Sequence, residues 1–262
     1  MWGLFELWGT GFLWIEVLMM IFFVIYLLFR NVSIVDLGWS LSFLCFLGML
    51  WFFAEGNFWR YLLLTIVVGA WAGRLTFYLG RRFSPGRDDP RYERILSRWV
   101  FSSSLTVKVL CLYLLQGAIA SFLCLPFLLI FSNGGSQFSP WEVYGVLVWS
   151  VGFWGVATAD SQLARFRAEG LLGEGVCSIG LWKYSRHPNY FFEFIVWVAY
   201  AMMALGSSWG FLGLMSPCLM FYLLVWVSGI PITEEIAREK YGQAYELYQQ
   251  KTSAFFPWRP RF

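Results

Sequence analysis

Charged residues are scarce in this chain: Asp, Glu, Lys and Arg make up 13% of its 262 residues. A soluble domain carries about 25%, so the composition excludes an ordinary soluble protein. Histidine occurs once, and the five cysteines show neither metal-ligand nor disulfide spacing. We therefore predict no metal site and interpret the cysteines as packing residues. The net charge of +3 is small, and nothing in the sequence indicates nucleic-acid binding.

Apolar residues dominate instead, at 59% of the chain. Apolar runs of about 20 residues recur, which is the length that an α-helix needs to cross a bilayer. The pattern predicts an all-α, polytopic protein in which residues 1–262 form a single integral-membrane domain within the lipid bilayer. The seven predicted transmembrane helices are Leu7–Phe29, Val35–Phe53, Trp59–Gly80, Val109–Phe131, Val143–Ala159, Tyr190–Leu205 and Trp209–Gly229.

Basic residues are distributed unevenly around these spans. They cluster between spans three and four, between spans five and six, and in the C-terminal tail, whereas the opposite side carries only Arg60. Because cytoplasmic loops are enriched in Lys and Arg, this predicts an N-terminus outside and a C-terminus in the cytoplasm. The site segments below are predicted to face the cytoplasm, where a soluble ligand and a lipid-borne substrate can meet.

The most informative segment, Ser185–Glu193, places cations, an amide and a carboxylate where the chain enters the sixth span. Pro188 predicts the start of that helix, since its missing N–H costs nothing in a first turn. The free N–H groups there, together with Arg186, suit an anion. Asn189 and Glu193 are four residues apart and share a helix face. The alternative is an interfacial cap, but Glu193 lies deeper in the span than a cap requires.

Asp160 and Arg167 form a second pair, at the end of the fifth span. They are seven residues apart, so they share a helix face and are separated by about 10 Å along the axis. An acceptor and a cation at this separation suit the ribose or amide and the phosphate of a dinucleotide. The alternative is the ordinary basic flank of a membrane helix, which is the better interpretation of Arg165.

Asp36 begins the second span, in the sequence Asp36–Trp39. Desolvation by apolar neighbours disfavours a carboxylate at this position. A protonated carboxyl is the donor that an acid catalyst requires. An N-cap of the second helix is an equally good interpretation, and one residue can serve in both ways.

Other polar segments have simpler interpretations. The stretch Asp88–Arg94, after the third span, is predicted to be a solvated, salt-paired loop. In the tail, Tyr241, Tyr245 and Tyr248 lie on one face of a predicted helix, as in a surface helix at the membrane interface. Glu16 is an intramembrane carboxylate to which the sequence assigns no role.

Together these segments resemble the steroid 5-alpha-reductase superfamily, and more closely the bacterial membrane proteins of unassigned function that group with it. The resemblance rests on Gly180–Glu193, Asp36–Trp39, Arg74–Arg82 and Asp160–Arg167. It covers nearly the whole chain, with a C-terminal signature at about residues 150–258. It implies a seven-helix fold in a bacterial inner membrane that holds NADPH on the cytoplasmic side.

The resemblance also implies roles for single residues. Asn189 corresponds to the family asparagine at the nicotinamide, and Glu193 to the glutamate that supports it. Asp36 corresponds to the catalytic glutamate of span two, and Tyr78 to a catalytic tyrosine of span three. The implied cofactor-binding residues are Arg81, Arg82, Asp160, Arg167, Arg186, His187, Asn189, Tyr190 and Glu193.

The chain departs from that family at two places and has a rival resemblance. Phe192 stands where the family has a glycine before its glutamate, and Thr233–Ala237 replaces a family histidine and tyrosine. Isoprenylcysteine methyltransferases, which bind S-adenosylmethionine, share the pattern Arg-His-Pro-x-Tyr. They also share a Glu-Glu pair, here Glu234–Glu235, that precedes a tyrosine-rich tail.

We therefore predict an oxidoreductase that uses NADPH to reduce a carbon–carbon double bond in a lipid. Its hydrophobic substrate would be steroid-, polyprenol- or enone-like. The nicotinamide would deliver hydride, and Asp36 or Tyr78 would polarise a carbonyl or supply a proton. The alternatives are a methyltransferase in the same pocket and a lipid-binding protein without catalytic activity. The oligomeric state stays open.

Overall fold

The computed structural model describes residues 3–53, 55–83, 88–168 and 175–260, and it leaves the side chain of Arg82 undescribed. Within these ranges the chain is helical and contains no strand. The helices are α1 (Leu4–Phe29), α2 (Val35–Phe53), α3 (Phe58–Arg82), α4 (Pro90–Ser97), α5 (Leu105–Leu123), α6 (Leu125–Phe131), α7 (Pro140–Ala168), α8 (Pro188–Ala204), α9 (Met215–Tyr222), α10 (Ile230–Tyr241) and α11 (Gln243–Lys251). Shorter 3-10 turns are Val32–Ile34, Gly180–Lys183 and Gly210–Leu214, and Leu223–Val227 forms a π-helical turn.

Six helical segments of the described chain are long and apolar enough to cross a membrane. They are Leu4–Phe29, Val32–Phe53, Phe58–Arg81, Leu105–Phe131, Pro140–Ala168 and Gly210–Tyr241. The predicted sixth span corresponds to α8, which is shorter at 17 residues. The all-α, polytopic architecture is thus confirmed, while the number of seven spans and the orientation of the termini stay predictions.

The chain forms two compact units. Unit 1 contains Met1–Val146 and Tyr200–Ser216, and unit 2 contains Leu147–Ala199 and Pro217–Phe262. The segment Ser185–Glu193 and the pair Asp160–Arg167 belong to unit 2, whereas Asp36 belongs to unit 1.

In unit 1, α1 packs against α2 and α5, and α2 packs against α3. The close approach of α1 and α2 requires a glycine, because a side chain at Gly11 would overlap the ring of Phe46. The remaining surface of α1 is apolar and exposed, which is typical of a helix that contacts lipid. Its exposed apolar residues include Leu13, Val17, Ile21, Val24 and Leu28.

In unit 2, α7 and α8 pack at glycines of α7. A Cβ atom at Gly152 would lie 2.8 Å from Cγ2 of Val196 and 2.9 Å from the Val196 backbone nitrogen. A Cβ atom at Gly155 would overlap the ring of Phe192. The bulky Phe192, which departs from the family pattern, is therefore accommodated by a glycine on the neighbouring helix.

Candidate functional site

Asp160 and Asn189 lie side by side in unit 2, although 29 residues separate them in the chain. The Nδ2 atom of Asn189 is 3.4 Å from Oδ1 of Asp160, at the long end of hydrogen-bonding distance. Asp160 is 7% exposed. The backbone N–H of Tyr190 donates to the other amide atom, Oδ1 of Asn189, at 3.1 Å. The amide is thus held with its nitrogen towards a buried carboxylate.

The helix that carries Asp160 is longer than predicted. α7 continues to Ala168 instead of ending near Ala159. Asp160 and Arg167 therefore share one helix, as their spacing predicts. Arg167 is exposed, and so is Arg165.

Glu193 lies one turn after Asn189 on α8, which begins at Pro188 as predicted. Its side chain is half-buried. The indole Nε1 of Trp197 donates to Oε1 of Glu193 at 3.2 Å. The carboxylate of Glu193 is therefore oriented by a residue of its own helix. The alternative of a simple interfacial cap stays open for this segment.

Arg186 binds the C-terminal part of the chain. Its Nε donates to Oε1 of Glu234 at 2.7 Å, and its Nη1 donates to the carbonyl oxygens of Gln249 at 3.1 Å and Thr252 at 2.5 Å. Its backbone N–H donates to the carbonyl of Ser253 at 2.8 Å. The sequence predicts that Arg186 binds an anionic cofactor; the structure adds a role in holding the tail, and the cofactor role stays a prediction.

His187, the single histidine of the chain, is buried in the same network. Its Nε2 lies 3.2 Å from Oε1 of Glu234, and its ring stacks on that of Tyr190 with centroids 5.3 Å apart. Burial lowers the pKa of His187 below its ordinary value, and the positive charge of Arg186 acts in the same direction. The hydrogen bond to Glu234 opposes this shift. His187 is therefore neutral at physiological pH.

The tyrosine-rich tail is not a surface helix, so that prediction is wrong. The chain breaks at Gly242, which has a positive φ of 52°, and forms α10 and α11 in place of one helix. Tyr245 and Tyr248 are buried, at 4% and 8% exposure. The Tyr248 hydroxyl donates to the carbonyl of Trp182. A phenol that finds a carbonyl partner can be buried at little cost, and this bond docks the tail onto the segment that precedes α8.

In unit 1, Asp36 has charged and polar neighbours, which the sequence did not indicate. Its Oδ2 is 3.1 Å from Nη2 of Arg91, and its Oδ1 accepts a hydrogen bond from the Tyr92 hydroxyl. Arg91 is itself paired with Asp89 at 3.0 Å. Asp36 lies within the first turn of α2, so it is not an N-cap; Asn31 caps the preceding 3-10 turn. Both the apolar surroundings and the capping role predicted for Asp36 are therefore wrong.

The stretch Asp88–Arg94 is likewise not a solvated loop. Asp88 accepts the backbone N–H of Val32 at 2.6 Å, and Asp89 caps α4. Tyr92 is 4% exposed, and burial, followed by the nearby charge of Asp36, raises the pKa of its phenol well above the ordinary value. This segment therefore packs against the start of α2 and brings a protonated phenol to the Asp36 carboxylate.

The remaining predicted site residues lie on α3 in unit 1. Tyr78 is half-buried. Arg81 is exposed, and its guanidinium carbon lies 5.6 Å from the ring centroid of Phe77. The side chain of Arg82 lies outside the described residues. The catalytic role of Tyr78 and the cofactor roles of Arg81 and Arg82 stay predictions.

Sequence reasoning missed the partners of these groups. Glu234 was noticed only as half of a Glu-Glu pair, yet it binds both Arg186 and His187. The sequence predicts that Arg91 and Tyr92 lie in a solvated, salt-paired loop. A signal was present in the sequence, because Tyr92 stands at helical spacing from the apolar Leu96 and both are buried on α4.

Comparison with known proteins gives a family. Residues 22–252 match the family described as "Protein of unknown function (DUF1295)". The chain belongs to this family. It is also similar to an uncharacterized protein of Schizosaccharomyces pombe, with 25% identity over 263 aligned positions that cover 87% of this chain and 73% of the yeast protein. No solved structure matches the chain. The resemblance to steroid 5-alpha-reductases and the bacterial origin both stay predictions.

Proposed function

We propose that this DUF1295 protein is a membrane-embedded oxidoreductase that uses NADPH to reduce a carbon–carbon double bond in a lipid. The observation that carries the proposal is the pairing of Asp160 with Asn189, since both were predicted from the sequence to bind the cofactor and they lie 3.4 Å apart. The steroid-, polyprenol- or enone-like character of the substrate rests on the resemblance to steroid 5-alpha-reductases.

The residues of unit 2 fit a dinucleotide in their chemistry. The buried Asp160 carboxylate is an acceptor for a carboxamide or a ribose hydroxyl, and Asn189 offers both a donor and an acceptor. The exposed Arg167 supplies a cation for a phosphate. Glu193, oriented by Trp197, would support the nicotinamide end. The chemistry supplied by bound NADPH is hydride transfer.

Asp36 and Tyr92 would take part in proton transfer to the substrate. The Tyr92 phenol is protonated at neutral pH, as a phenol with an ordinary pKa of about 10 is, and it already donates to Asp36. Arg91 compensates the charge of the Asp36 carboxylate. A substrate carbonyl that accepts the Tyr92 proton would leave a phenolate stabilised by Arg91, as general acid catalysis requires. Tyr78 remains the second candidate for this role.

The first experiment measures the apparent melting temperature of the protein in mild detergent with NADPH, NADH or S-adenosylmethionine. A ligand that binds only the folded state must raise it. We expect NADPH to stabilise the protein, and we expect Asn189→Ala and Arg167→Ala to remove that stabilisation. Arg165→Ala is the matched control, because Arg165 is an exposed arginine two residues away on the same helix. An unchanged NADPH response in Arg167→Ala and Asn189→Ala would refute the proposed site.

The second experiment separates catalysis from binding. Asp36→Asn and Tyr92→Phe should each reduce NADPH oxidation with a lipid enone by about 100-fold or more, the usual contribution of general acid catalysis. The stabilisation by NADPH should persist in both variants. Loss of NADPH binding in Asp36→Asn would count against a role of Asp36 in proton transfer.

A methyltransferase is the second candidate, and the docking of the tail favours it. Glu234, which matches the methyltransferase pattern, binds both Arg186 and His187 directly. Stabilisation by S-adenosylmethionine alone would select this function. If none of the three ligands stabilises the protein, the lipid-binding protein without catalytic activity becomes the preferred hypothesis.

A further inference from the structure

A cavity of about 330 Å³ lies in unit 2 where α11 ends. It is lined by residues 249–254 together with Arg186, Trp258 and Arg259. A second cavity of about 470 Å³ shares Lys251 and Thr252 with the first and adds Lys183. The two cavities adjoin at Lys251 and Thr252, and together they are called the basic depression along α11. Of the residues that line it, only Arg186 is also predicted to bind the cofactor.

The charge of this depression is uncompensated within the described chain. Arg186 is neutralised by Glu234, as the ion pair at 2.7 Å shows. Lys251 and Arg259 are both exposed, and neither has an ion-pair partner among the described residues. Two cations that lack an ion-pair partner in the described part of the chain form a site for a phosphate, which both Lys and Arg bind well.

Exposed aromatic side chains stand next to these cations. Trp258 is 74% exposed and Tyr184 is 42% exposed, and the Trp258 backbone N–H donates to the Tyr184 carbonyl at 2.9 Å. Phe256 is 56% exposed. Aromatic residues exposed in this way are typical of the membrane–water interface. At that depth, clustered Lys and Arg attract anionic lipid headgroups.

We propose that the depression lined by Lys251 and Arg259 binds the phosphate of an anionic membrane lipid. The lipid would anchor the C-terminal segment, whose residues 252–254 present their carbonyls to Arg186 and Ser185. Arg186, which is predicted to bind the cofactor, also lines the first cavity. Lys251 and Arg259 are not among the residues assigned to the cofactor, so they are the ones that can separate the two sites.

The test compares lipids of different charge on the full-length protein in mild detergent. Dihexanoyl phosphatidylglycerol, dihexanoyl phosphatidylcholine and sodium phosphate are titrated separately, and the apparent melting temperature is followed. The variant is Lys251→Gln with Arg259→Gln. The control is Arg238→Gln with Lys240→Gln, which removes the same two charges from exposed positions on α10. We expect phosphatidylglycerol to stabilise the wild type and the control, and the variant to lose that stabilisation.

Several results would overturn the proposal. Equal stabilisation by phosphatidylcholine would remove the role of headgroup charge, and an undiminished phosphatidylglycerol response in the variant would remove the role of these residues. Stabilisation by sodium phosphate but not by phosphatidylglycerol would replace the lipid with a soluble phosphate. The variant Lys251→Arg with Arg259→Lys keeps both charges and must keep the stabilisation by phosphatidylglycerol. It shows that substitution at these two positions does not by itself disrupt folding.

A final arm distinguishes this site from the proposed function. The response to NADPH should persist in the Lys251→Gln, Arg259→Gln variant, because neither residue is assigned to the cofactor. If the variant loses the responses to NADPH and to phosphatidylglycerol together, the depression belongs to the cofactor site and the lipid proposal is wrong. If NADPH never stabilises the wild type, only the proposed reductase function is rejected.

Discussion

The guanidinium of Arg60 and the carboxylate of Glu142 form a buried ion pair in unit 1. Nε of Arg60 is 2.6 Å from Oε1 of Glu142, and the two side chains are 2% and 1% exposed. Arg60 also donates to the carbonyls of Asn133, Gly135 and Gln137. The single arginine on the predicted outer side thus ties the start of α3 to the start of α7 and to the loop between α6 and α7.

Removing one partner of this pair should destabilise the protein strongly. Glu142→Gln or Arg60→Met leaves a buried charge unpaired, which costs about 3–5 kcal/mol. The double variant Arg60→Met, Glu142→Gln should cost less than the sum of the two single variants, because no charge remains buried. Thermal unfolding in detergent measures all four proteins. Additive losses would mean that the two groups do not interact.

Substitutions at Gly155 and Phe192 should also have non-additive effects on stability. Gly155→Ala places a methyl group against the Phe192 ring and should cost about 1–3 kcal/mol, as overpacking does. Phe192→Ala should rescue this variant. Gly152→Ala is the control, since its added methyl meets the backbone nitrogen of Val196 at 2.9 Å and the carbonyl of Phe192 at 3.1 Å. Rescue of Gly152→Ala to the same extent would contradict this packing.

His187 should make stability depend on pH. Its pKa in the folded protein is lowered by burial, so the unfolded chain binds a proton more readily than the folded one. The stabilising contribution is therefore present above about pH 6.5, the ordinary value, and is lost as the pH falls towards the folded value. The loss approaches about 1.4 kcal/mol per pH unit. Because the chain has one histidine, His187→Gln should flatten this dependence between about pH 7 and pH 5.5.

Melting temperatures at a series of pH values, for the wild type and His187→Gln, provide the measurement. A wild type that becomes more stable as the pH falls would mean that the ion pair with Glu234 outweighs burial.

Glu16 should destabilise the folded protein. Both of its carboxylate oxygens are buried and have no hydrogen-bond partner among the described residues. A Cβ atom at Gly117 would lie 2.6 Å from Oε1 of Glu16, so α5 already makes room for this side chain. Glu16→Met removes the unsatisfied oxygens and should raise stability by about 1–3 kcal/mol. A lower melting temperature for Glu16→Met would indicate that this carboxylate has a partner in the membrane.

Much of the fold could be predicted from the sequence, because each long apolar run predicts one helix. Each of the seven predicted spans falls on helical chain, and Pro188 starts α8 as predicted. The candidate site was readable in part: Asp160 and Arg167 share a helix, and Asn189 lies beside Asp160. The sequence did not predict which residue pairs with which charged group. Wherever such a prediction was wrong, the partner belongs to a segment that is distant in the chain.

Asp36 and the tail tyrosines illustrate the limit. Local sequence places Asp36 among apolar residues, but Arg91 and Tyr92, more than fifty residues away, fold back onto it. The sequence pattern predicts that Tyr248 lies on the surface of an amphipathic helix. In the structure the helix breaks at Gly242, and the Tyr248 hydroxyl donates to the Trp182 carbonyl. Local patterns cannot show whether a polar group will be solvated or will find a distant partner.

The sequence by itself determined that this chain is an all-α membrane protein, because the length and periodicity of apolar runs follow from the thickness of the bilayer and the rise of the helix. It also predicts several of the candidate site residues, among them Asp160, Arg167 and Asn189. The tertiary structure alone decided their electrostatic surroundings: Arg186 and His187 with Glu234, and Asp36 with Arg91 and Tyr92. Long-range pairing of charges depends on how helices pack, and packing is a property of the whole chain.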